Sequence, residues 1–253
     1  MRSHQYALGG YYTGINGWEF SVEGYYKDMR NVLEYKDGVS FFGSSSGWEN
    51  KVEMGKGRSA GIEFMAQKTA GKTTGWLSYT LSKSDRKFTK GGINNGEWFP
   101  YKYDRRHSIN LTINHKFSDR IDIGASWVFY TGGTSTIPEE KTTVIRPHNG
   151  ANNGFLWYGT YDNTNSSPTI GDVSYIEHRN NFRLPASHRL NLGVNFNKKT
   201  KHGMRTWNIS LYNAYNAMNP AWVYRGHSKQ GLSVIKKYTL LPLIPSFTYT
   251  YKF

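Results

Sequence analysis

Aromatic and polar side chains alternate without a break in Ser246-Phe247-Thr248-Tyr249-Thr250-Tyr251-Lys252-Phe253, the end of the chain. Because successive side chains of a β-strand point to opposite faces of a sheet, this stretch predicts a strand with one aromatic and one polar face. Strands of soluble β-sandwiches usually carry branched aliphatic residues such as Val and Ile on the inner face. An aromatic row that ends on the last residue is typical of the final strand of a membrane β-barrel.

The composition excludes a helical membrane protein and fits a barrel. The mean hydropathy is −0.67, and no apolar run approaches the ~20 residues that a membrane helix needs. Only half of the residues in a barrel strand are apolar, so low mean hydropathy does not argue against the membrane. The absence of cysteine removes disulfides and thiolate metal sites. The net charge of +14 fits either nucleic acid or phosphate-rich lipid head groups.

The same alternation recurs along the whole chain. Ile109, Leu111 and Ile113, for example, alternate with Asn110 and Thr112. The pattern predicts an all-β fold, an antiparallel transmembrane β-barrel section of about nine strands. The predicted strands are 3–12, 18–28, 58–68, 74–83, 105–117, 121–130, 188–198, 205–224 and 238–253.

The connections between these strands alternate in length. Residues 13–17, 69–73, 118–120 and 199–204 form short turns, while 29–57, 84–104, 131–187 and 225–237 form long loops. Bacterial outer-membrane barrels have short periplasmic turns and long extracellular loops, so the long connections are predicted to lie outside the cell. Six aromatic residues at the short-turn ends of the strands are predicted to form one girdle at the membrane boundary. They are Trp18, Phe117, Phe196, Trp207, Tyr251 and Phe253.

Catalytic and nucleic-acid-binding functions have little support. The eight histidines include no HExxH pair, and Ser187 and His188 are neighbours that a strand would place on opposite faces. We therefore predict no catalytic residue, no metal site and no cofactor. The loop around 84–104 is basic, which leaves contact with lipopolysaccharide phosphates, attraction of an anionic ligand and a simply solvated loop as alternatives. Basic residues dispersed over loops argue against a nucleic-acid groove.

Five further segments carry a resemblance to a known family. They are Gly55-Lys56-Gly57-Arg58-Ser59-Ala60-Gly61-Ile62-Glu63, Trp76-Leu77-Ser78-Tyr79-Thr80-Leu81-Ser82, Tyr103-Asp104-Arg105-Arg106-His107, Tyr130-Thr131-Gly132-Gly133 and Leu211-Tyr212-Asn213-Ala214-Tyr215-Asn216-Ala217-Met218-Asn219-Pro220. In this order, and closed by a terminal Phe, they resemble the C-terminal barrel half of TonB-dependent outer-membrane receptors. The resemblance implies that Phe247, Tyr249, Tyr251 and Phe253 form the barrel-assembly signal, although Pro245 and Ser246 stand where the family commonly has Gly.

The resemblance also implies a domain organisation and partners. The family barrel has 22 strands around an N-terminal plug, so residues 1–253 would be the C-terminal portion of one barrel domain, without the plug and the N-terminal strands. An odd number of strands cannot close with antiparallel pairing alone, so we expect a fragment, a truncated product or one part of a split receptor. The implied partners are outer-membrane lipid and lipopolysaccharide, the N-terminal barrel half and plug, and the TonB motor complex through that plug. A surface lipoprotein stays open as a further partner.

The implied function is energy-coupled uptake of a scarce nutrient, such as a siderophore, vitamin, glycan or peptide, at the bacterial outer membrane. Aromatic rings and arginines in or near the long loops and the lumen would supply part of the ligand pocket, and packing between loops is the alternative for each of them. The candidates are Trp98, Tyr101, Tyr103, Arg105, Arg106, Tyr130, Trp157, Tyr158, Arg179, Arg183, Trp222 and Tyr224. A passive diffusion channel and a secreted carbohydrate-binding β-sandwich are the alternative functions. The long segment 131–187 is predicted to lack regular structure and to cover the lumen mouth.

Overall fold

The structure is a computed structural model that describes residues 1–37, 47–146 and 169–253. These ranges contain sixteen β-strands and two short 3-10 helices, Trp48–Lys51 and Asn94–Gly96. The strands are β1 (Arg2–Tyr12), β2 (Trp18–Tyr35), β3 (Val52–Lys68), β4 (Thr73–Lys87), β5 (Phe99–Pro100), β6 (His107–Lys116), β7 (Ile121–Tyr130), β8 (Thr134–Ser135), β9 (Glu140–Arg146), β10 (Thr169–Tyr175), β11 (Phe182–Arg183), β12 (Ser187–Thr200), β13 (Gly203–Tyr212), β14 (Pro220–His227), β15 (Ser233–Thr239) and β16 (Ile244–Lys252).

Nine of these strands form one antiparallel sheet in the order β1-β2-β3-β4-β6-β7-β12-β13-β16, and β5 adds to the end of β4. The prediction of an all-β antiparallel fold with about nine principal strands is confirmed. Strands β1 and β16 are the two edges of the sheet, which does not close on itself. No helix in the described ranges has the length and apolar character to cross a membrane.

The register places apolar side chains from neighbouring strands side by side. Leu77 lies opposite Leu111, Leu111 opposite Trp127, and Trp127 opposite Leu190. These residues and those that alternate in step with them form the apolar face of the sheet. The other side, the polar face, carries residues such as Asn110. In a membrane barrel the apolar face lies against lipid and the polar face lines the lumen.

The polar face is held together by hydrogen bonds between strands. The amides of Asn195 and Asn197 donate to the two carboxylate oxygens of Asp122, at 2.7 and 2.6 Å. Asn208 donates to the side-chain oxygen of Asn195, and Thr206 donates to that of Asn197, both at 2.7 Å. This ladder joins β7, β12 and β13 and explains why the second face of these strands carries Asn, Asp and Thr.

The alternation of short and long connections is confirmed. The short turns cover 13–17, 69–72, 117–120 and 201–202, and the long connections cover 36–51, 88–106, 131–186 and 213–243. We call the end of the sheet where the short turns lie the short-turn end, and the opposite end, where the long connections lie, the long-loop end. Strand β2 extends beyond its predicted end to Tyr35, and β3 begins earlier than predicted, at Val52. The first long connection is therefore shorter than predicted. The segment 131–187 is not free of regular structure, because its described parts contain β8, β9, β10 and β11.

The predicted strand 205–224 is wrong beyond Tyr212. Asn213 and Asn216 there have positive φ angles of 53°, which break the extended conformation. The buried side chain of Asn213 accepts from the amide of Ala217 and donates to the carbonyls of Ala217 and Leu241. Asn tolerates this left-handed conformation and hydrogen-bonds nearby backbone, so the chain turns here. Strands β14 and β15 then form a separate hairpin, and the last strand begins at Ile244 rather than at residue 238.

The buried hydrophobic cluster of the described residues lies at the long-loop end of the sheet, between β2, β5 and the connection 88–106. It consists of Val32, Phe88, Ile93 and Phe99, with Met29 packed against it. Gly55 lies beneath this cluster, because a Cβ atom there would collide with the ring of Phe88. The long-loop end of β2, β3 and β4 is therefore covered by a small packed cap on the polar face.

Candidate functional site

Three arginine–tyrosine pairs lie near the long-loop end of the sheet. In each pair the guanidinium carbon lies over the tyrosine ring, which is the geometry of a cation–π interaction. The pairs are Arg86 with Tyr101 at 3.8 Å, Arg105 with Tyr130 at 3.9 Å and Arg189 with Tyr212 at 4.3 Å. We call them the arginine–tyrosine wall.

The register brings two of the pairs, those of Tyr130 and Arg189, together on the polar face. Tyr130 lies opposite Ser108 on one side and Ser187 on the other, and Arg189 lies opposite Val128. Because Tyr130 is two residues beyond Val128, Tyr130 and Arg189 are diagonal neighbours, about 7–8 Å apart. The hydroxyl of Tyr212 accepts a hydrogen bond from Arg189. The wall therefore runs from β7 across β12 to β13 at the mouth of the lumen.

The guanidinium groups of the wall keep unused hydrogen-bond donors. Arg105 is exposed, and its side chain has no acidic partner among the described residues. The Nε atoms of Arg86 and Arg189 are buried and have no hydrogen-bond partner among the described residues. A buried N–H without a partner costs free energy. Arginine also presents a planar fork of donors that matches a carboxylate, so the wall is suited to a planar anion.

The exposed ring of Tyr103 extends the wall toward the loops. Its ring lies edge-on to Tyr101, with centroids 5.4 Å apart, and 64% of Tyr103 is exposed. Of the predicted site residues, the structure thus pairs Tyr101 with Tyr103 and Arg105 with Tyr130.

Other predicted arginines form ion pairs within the protein. Asp104 is fully buried, and its Oδ2 lies 2.6 Å from Arg183 and 3.1 Å from Arg106. Its Oδ1 accepts a hydrogen bond from the amide of Ser84 at 2.7 Å, and Arg183 also donates to the carbonyl of Gly132. This group, the Asp104 clamp, ties the segment 131–186 to the connection 88–106.

Arg179 makes a second connection between loops. Its guanidinium lies 3.3 Å from Glu34 and 3.0 Å from Asp37, and it donates to the carbonyl of Tyr35. Its backbone amide donates to the side chain of Asn94 at 2.6 Å. Arg179 therefore joins the end of β2 to two long connections and has a structural partner for each of its two terminal nitrogens.

The remaining predicted site residues lie away from the wall. Trp98 packs against Arg58 at 4.3 Å, and Arg58 belongs to the apolar face. Trp222 stacks on Tyr238 at 4.2 Å within the β14–β15 hairpin, where Tyr224 is also exposed. Trp157 and Tyr158 lie outside the described residues.

A cavity of about 340 Å³ lies between the hairpin and the segment 131–186. Arg225 lines this cavity and donates to the carbonyls of Pro138 and Glu139 and to the hydroxyl of Ser233. The other residues that line the cavity are Ile137, Asn181, Phe182, Val234 and Ile235. Sequence reasoning did not find this cavity, since its residues come from three separated segments with no common local pattern.

The side chains at the long-loop end are suited to binding a ligand through their fixed charges. No group of three or more histidine and acidic side chains that could hold a metal ion occurs within the ranges 1–37, 47–146 and 169–253. The pKa of Asp119 is lowered by a hydrogen bond and charge from Lys116, and this pair belongs to a turn at the opposite end of the sheet.

Comparison with protein families gives a match over most of the chain. The family model for the TonB dependent receptor-like β-barrel matches residues 1–221. The comparison with curated protein sequences gave no match.

Solved structures of outer-membrane receptors share the fold at low sequence identity. The ferric-catecholate import receptor Fiu from E. coli K12 is 13% identical with a TM-score of 0.54, over 98% of this chain and 27% of Fiu. The ferric citrate transporter FecA is 11% identical with a TM-score of 0.56, over 98% of this chain and 30% of FecA. The ferripyoverdine receptor of Pseudomonas aeruginosa is 11% identical with a TM-score of 0.51, over 98% of this chain and 26% of that receptor. This chain spans less than a third of each receptor.

Proposed function

Because this chain belongs to the TonB-dependent receptor β-barrel family, we propose that it forms the C-terminal part of a bacterial outer-membrane receptor for energy-coupled nutrient uptake. In this proposal residues 1–253 are one portion of a 22-strand barrel. The remaining strands pair with β1 and β16, and a plug fills the lumen and receives the pull of TonB. The low coverage of the solved receptors supports this assignment, as do the two unpaired sheet edges. Unpaired edges in lipid leave backbone groups without partners, which costs several kcal/mol per group.

The ligand class that the arginine–tyrosine wall supports is an anionic ferric chelate. The observation that supports this ligand class is the exposed guanidinium of Arg105, which stacks on Tyr130 and has no carboxylate partner among the described residues. Carboxylate or catecholate oxygens of a chelate would accept from this group, while the planar parts of the ligand would contact the tyrosine rings. The names of the receptors with the same fold describe ferric catecholate, ferric citrate and ferripyoverdine, which agrees with this class.

The wall would act as the first binding surface below the loops. The protein supplies fixed positive charge and rings, and the iron would arrive with its chelator, so no resident metal is required. Release into the periplasm would depend on the plug and TonB. In this scheme the chain has the role of a transporter component and carries no catalytic residue.

The experiment uses the complete receptor and two radiolabelled iron complexes, ferric citrate and a ferric tris-catecholate. Arg105→Gln should weaken binding of the preferred chelate to whole cells by about tenfold to a hundredfold, the loss expected for one charge-assisted hydrogen bond. Arg120→Gln is the matched control, since Arg120 lies in the short turn 117–120 at the other end of the sheet. Equal binding by both variants would refute the role of Arg105.

Energy coupling is measured on the same cells. Uptake of bound chelate should stop when a protonophore dissipates the proton motive force, while surface binding continues. Unchanged uptake in de-energised cells would favour the passive diffusion channel. If neither iron complex binds, the ligand class is wrong. The secreted β-sandwich lacks support, because all nine principal strands belong to one sheet.

A further inference from the structure

The cavity between the β14–β15 hairpin and the segment 131–186 contains two opposite charges that do not pair with each other. Arg225 and Glu139 both line it, and the structure, which describes both side chains, shows no ion pair between them. Arg225 is only partly exposed and has no carboxylate partner among the described residues. A partly buried charge without a counter-charge is unfavourable, so this arrangement is suited to a ligand that supplies one.

Arg225 is held so that one end of its guanidinium stays free. Its Nε donates to the hydroxyl of Ser233 at 2.7 Å, and its Nη1 donates to the carbonyls of Pro138 and Glu139 at 3.1 and 3.2 Å. Its Nη2 makes no hydrogen bond with any residue that the structure describes. Because the other two nitrogens fix the plane of the group, the N–H bonds of Nη2 keep a defined direction for a carboxylate oxygen.

Glu139 presents a free acceptor close to this donor. Its Oε1 accepts from the side-chain amide of Asn181 at 2.9 Å, while its Oε2 accepts no hydrogen bond within the described part of the chain. The carbonyl oxygen of Glu139 lies 3.2 Å from Nη1 of Arg225, so the carboxylate lies about one glutamate side chain away from the guanidinium. A ligand that carries an ammonium group and a carboxylate on one carbon atom matches this pair of groups.

The rest of the cavity wall is mainly apolar. Ile137 is buried and Phe182 is partly buried on the side of the segment 131–186, and Ile235 lies opposite Arg225 on the hairpin. The volume of about 340 Å³ is at the lower end of the range for small-molecule sites. An apolar side chain therefore fits beside the two charges, and burial of its surface there favours binding.

We propose that this cavity binds a zwitterionic amino acid with an apolar side chain. Nη2 of Arg225 donates to the α-carboxylate, Oε2 of Glu139 accepts from the α-ammonium group, and the apolar side chain contacts Phe182 and Ile235. The cavity shares no residue with the arginine–tyrosine wall, so this site goes beyond the binding of a ferric chelate. Because the ligand contacts both the hairpin and the segment 131–186, its binding would hold these two connections together.

The first test compares ligands on the unaltered complete receptor in a neutral detergent, by equilibrium dialysis with radiolabelled L-phenylalanine. 3-Phenylpropanoate lacks the ammonium group and 2-phenylethylamine lacks the carboxylate. Each should compete at least about tenfold more weakly than L-phenylalanine, the loss expected for one charge-assisted hydrogen bond. Glycine lacks the apolar side chain and should also compete at least about tenfold more weakly. This comparison needs no variant, so it does not depend on the folding of one.

Two variants then assign the charges to residues. Glu139→Gln keeps an oxygen for Asn181 and should bind L-phenylalanine about tenfold to a hundredfold more weakly, while its affinity for 3-phenylpropanoate should not fall. Arg225→Gln should weaken binding of both carboxylates, while its affinity for 2-phenylethylamine should not fall. Lys229→Gln is the control, since it removes an exposed cation from the tip of the same hairpin, and it should bind every ligand as the wild type does.

Three results would overturn the proposal. Absence of saturable L-phenylalanine binding would exclude the site. Equal competition by 3-phenylpropanoate and L-phenylalanine would mean that the cavity takes a simple carboxylate rather than a zwitterion. Unchanged affinity for L-phenylalanine in both Arg225→Gln and Glu139→Gln would place the binding elsewhere. Failure of the proposed function is distinguishable, since it is measured by chelate binding through Arg105 and by chelate uptake, and amino-acid binding requires neither chelate nor proton motive force.

Discussion

Replacing Asp104 with Asn should release one long connection from the sheet. The side chain of Asp104 is fully buried, while Arg183 and Arg106 are each about one-third exposed. Removing one partner of a buried ion pair costs about 3–5 kcal/mol, and partial exposure of the arginines places the expected cost near the lower limit. Asn keeps the size of the side chain and an oxygen that can accept from the amide of Ser84, so the change acts mainly through charge.

Hydrogen exchange of the complete receptor measures this cost locally. A loss of about 3 kcal/mol in a local opening equilibrium accelerates amide exchange by about two orders of magnitude. The acceleration should appear in peptides from 175–186, which contain Arg183, while peptides from β12 should exchange as in the wild type. Asp119→Asn is the control, because the side chain of Asp119 is 82% exposed and pairs only with nearby Lys116 among the described residues.

A double variant separates the loss of charge from the loss of packing. Arg183→Gln combined with Asp104→Asn should cost less than the sum of the single changes, because the uncompensated charge is removed. Unchanged exchange in 175–186, or the same effect from Asp119→Asn, would refute the clamp.

Two further predictions concern the sheet itself. Leu111→Arg on the apolar face should destabilise the barrel by about 2–4 kcal/mol near the midplane in a lipid-refolding titration, and Thr112→Arg on the polar face by much less; equal costs would mean that the faces are assigned wrongly. Cysteine at Lys229, in the tip of the β14–β15 hairpin, should react with an impermeant reagent on intact cells expressing the complete receptor, and cysteine at Lys201 should not; the reverse result would invert the orientation.

The alternation of apolar and polar side chains was sufficient to predict the sheet. It did not predict the end of a strand where a single residue stops it. Alternation extends through Tyr212 in the sequence, but the left-handed conformation of Asn213 depends on its contact with Leu241, which is distant in the chain. The packed cap was not predictable either. Val32 and Phe99 are separated by the whole of β3 and β4, so no local pattern connects them.

The candidate site was predicted in part. Tyr101, Arg105 and Tyr130 were candidates because aromatic and arginine residues near long loops are suited to ligands. Arg189 and Tyr212 were missed, since a polar residue on the polar face of a strand has no distinguishing signal in sequence. Their pairing depends on the register of β12 and β13, which only the structure defines.

The basic connection 84–104 illustrates the same limit. Sequence alone left open whether its cations contact lipid, attract a ligand or remain solvated. The structure separates neighbouring residues: Lys87 points to the apolar face and Arg86 to the polar face, while Arg106 pairs with buried Asp104. The cations of this stretch therefore lie in three different environments, and alternation along β4 accounts only for the separation of Arg86 from Lys87.

The two arginine connections between loops have a consequence for the evolution of ligand preference. Arg179 and the Asp104 clamp hold the long connections through side chains that do not belong to the arginine–tyrosine wall. Exposed positions such as Tyr103 and Arg105 can therefore be exchanged without dismantling the scaffold that carries them. In the proposed receptor, a few surface substitutions at the mouth would change the preferred ligand, while Arg179 and the Asp104 clamp keep the loops in place.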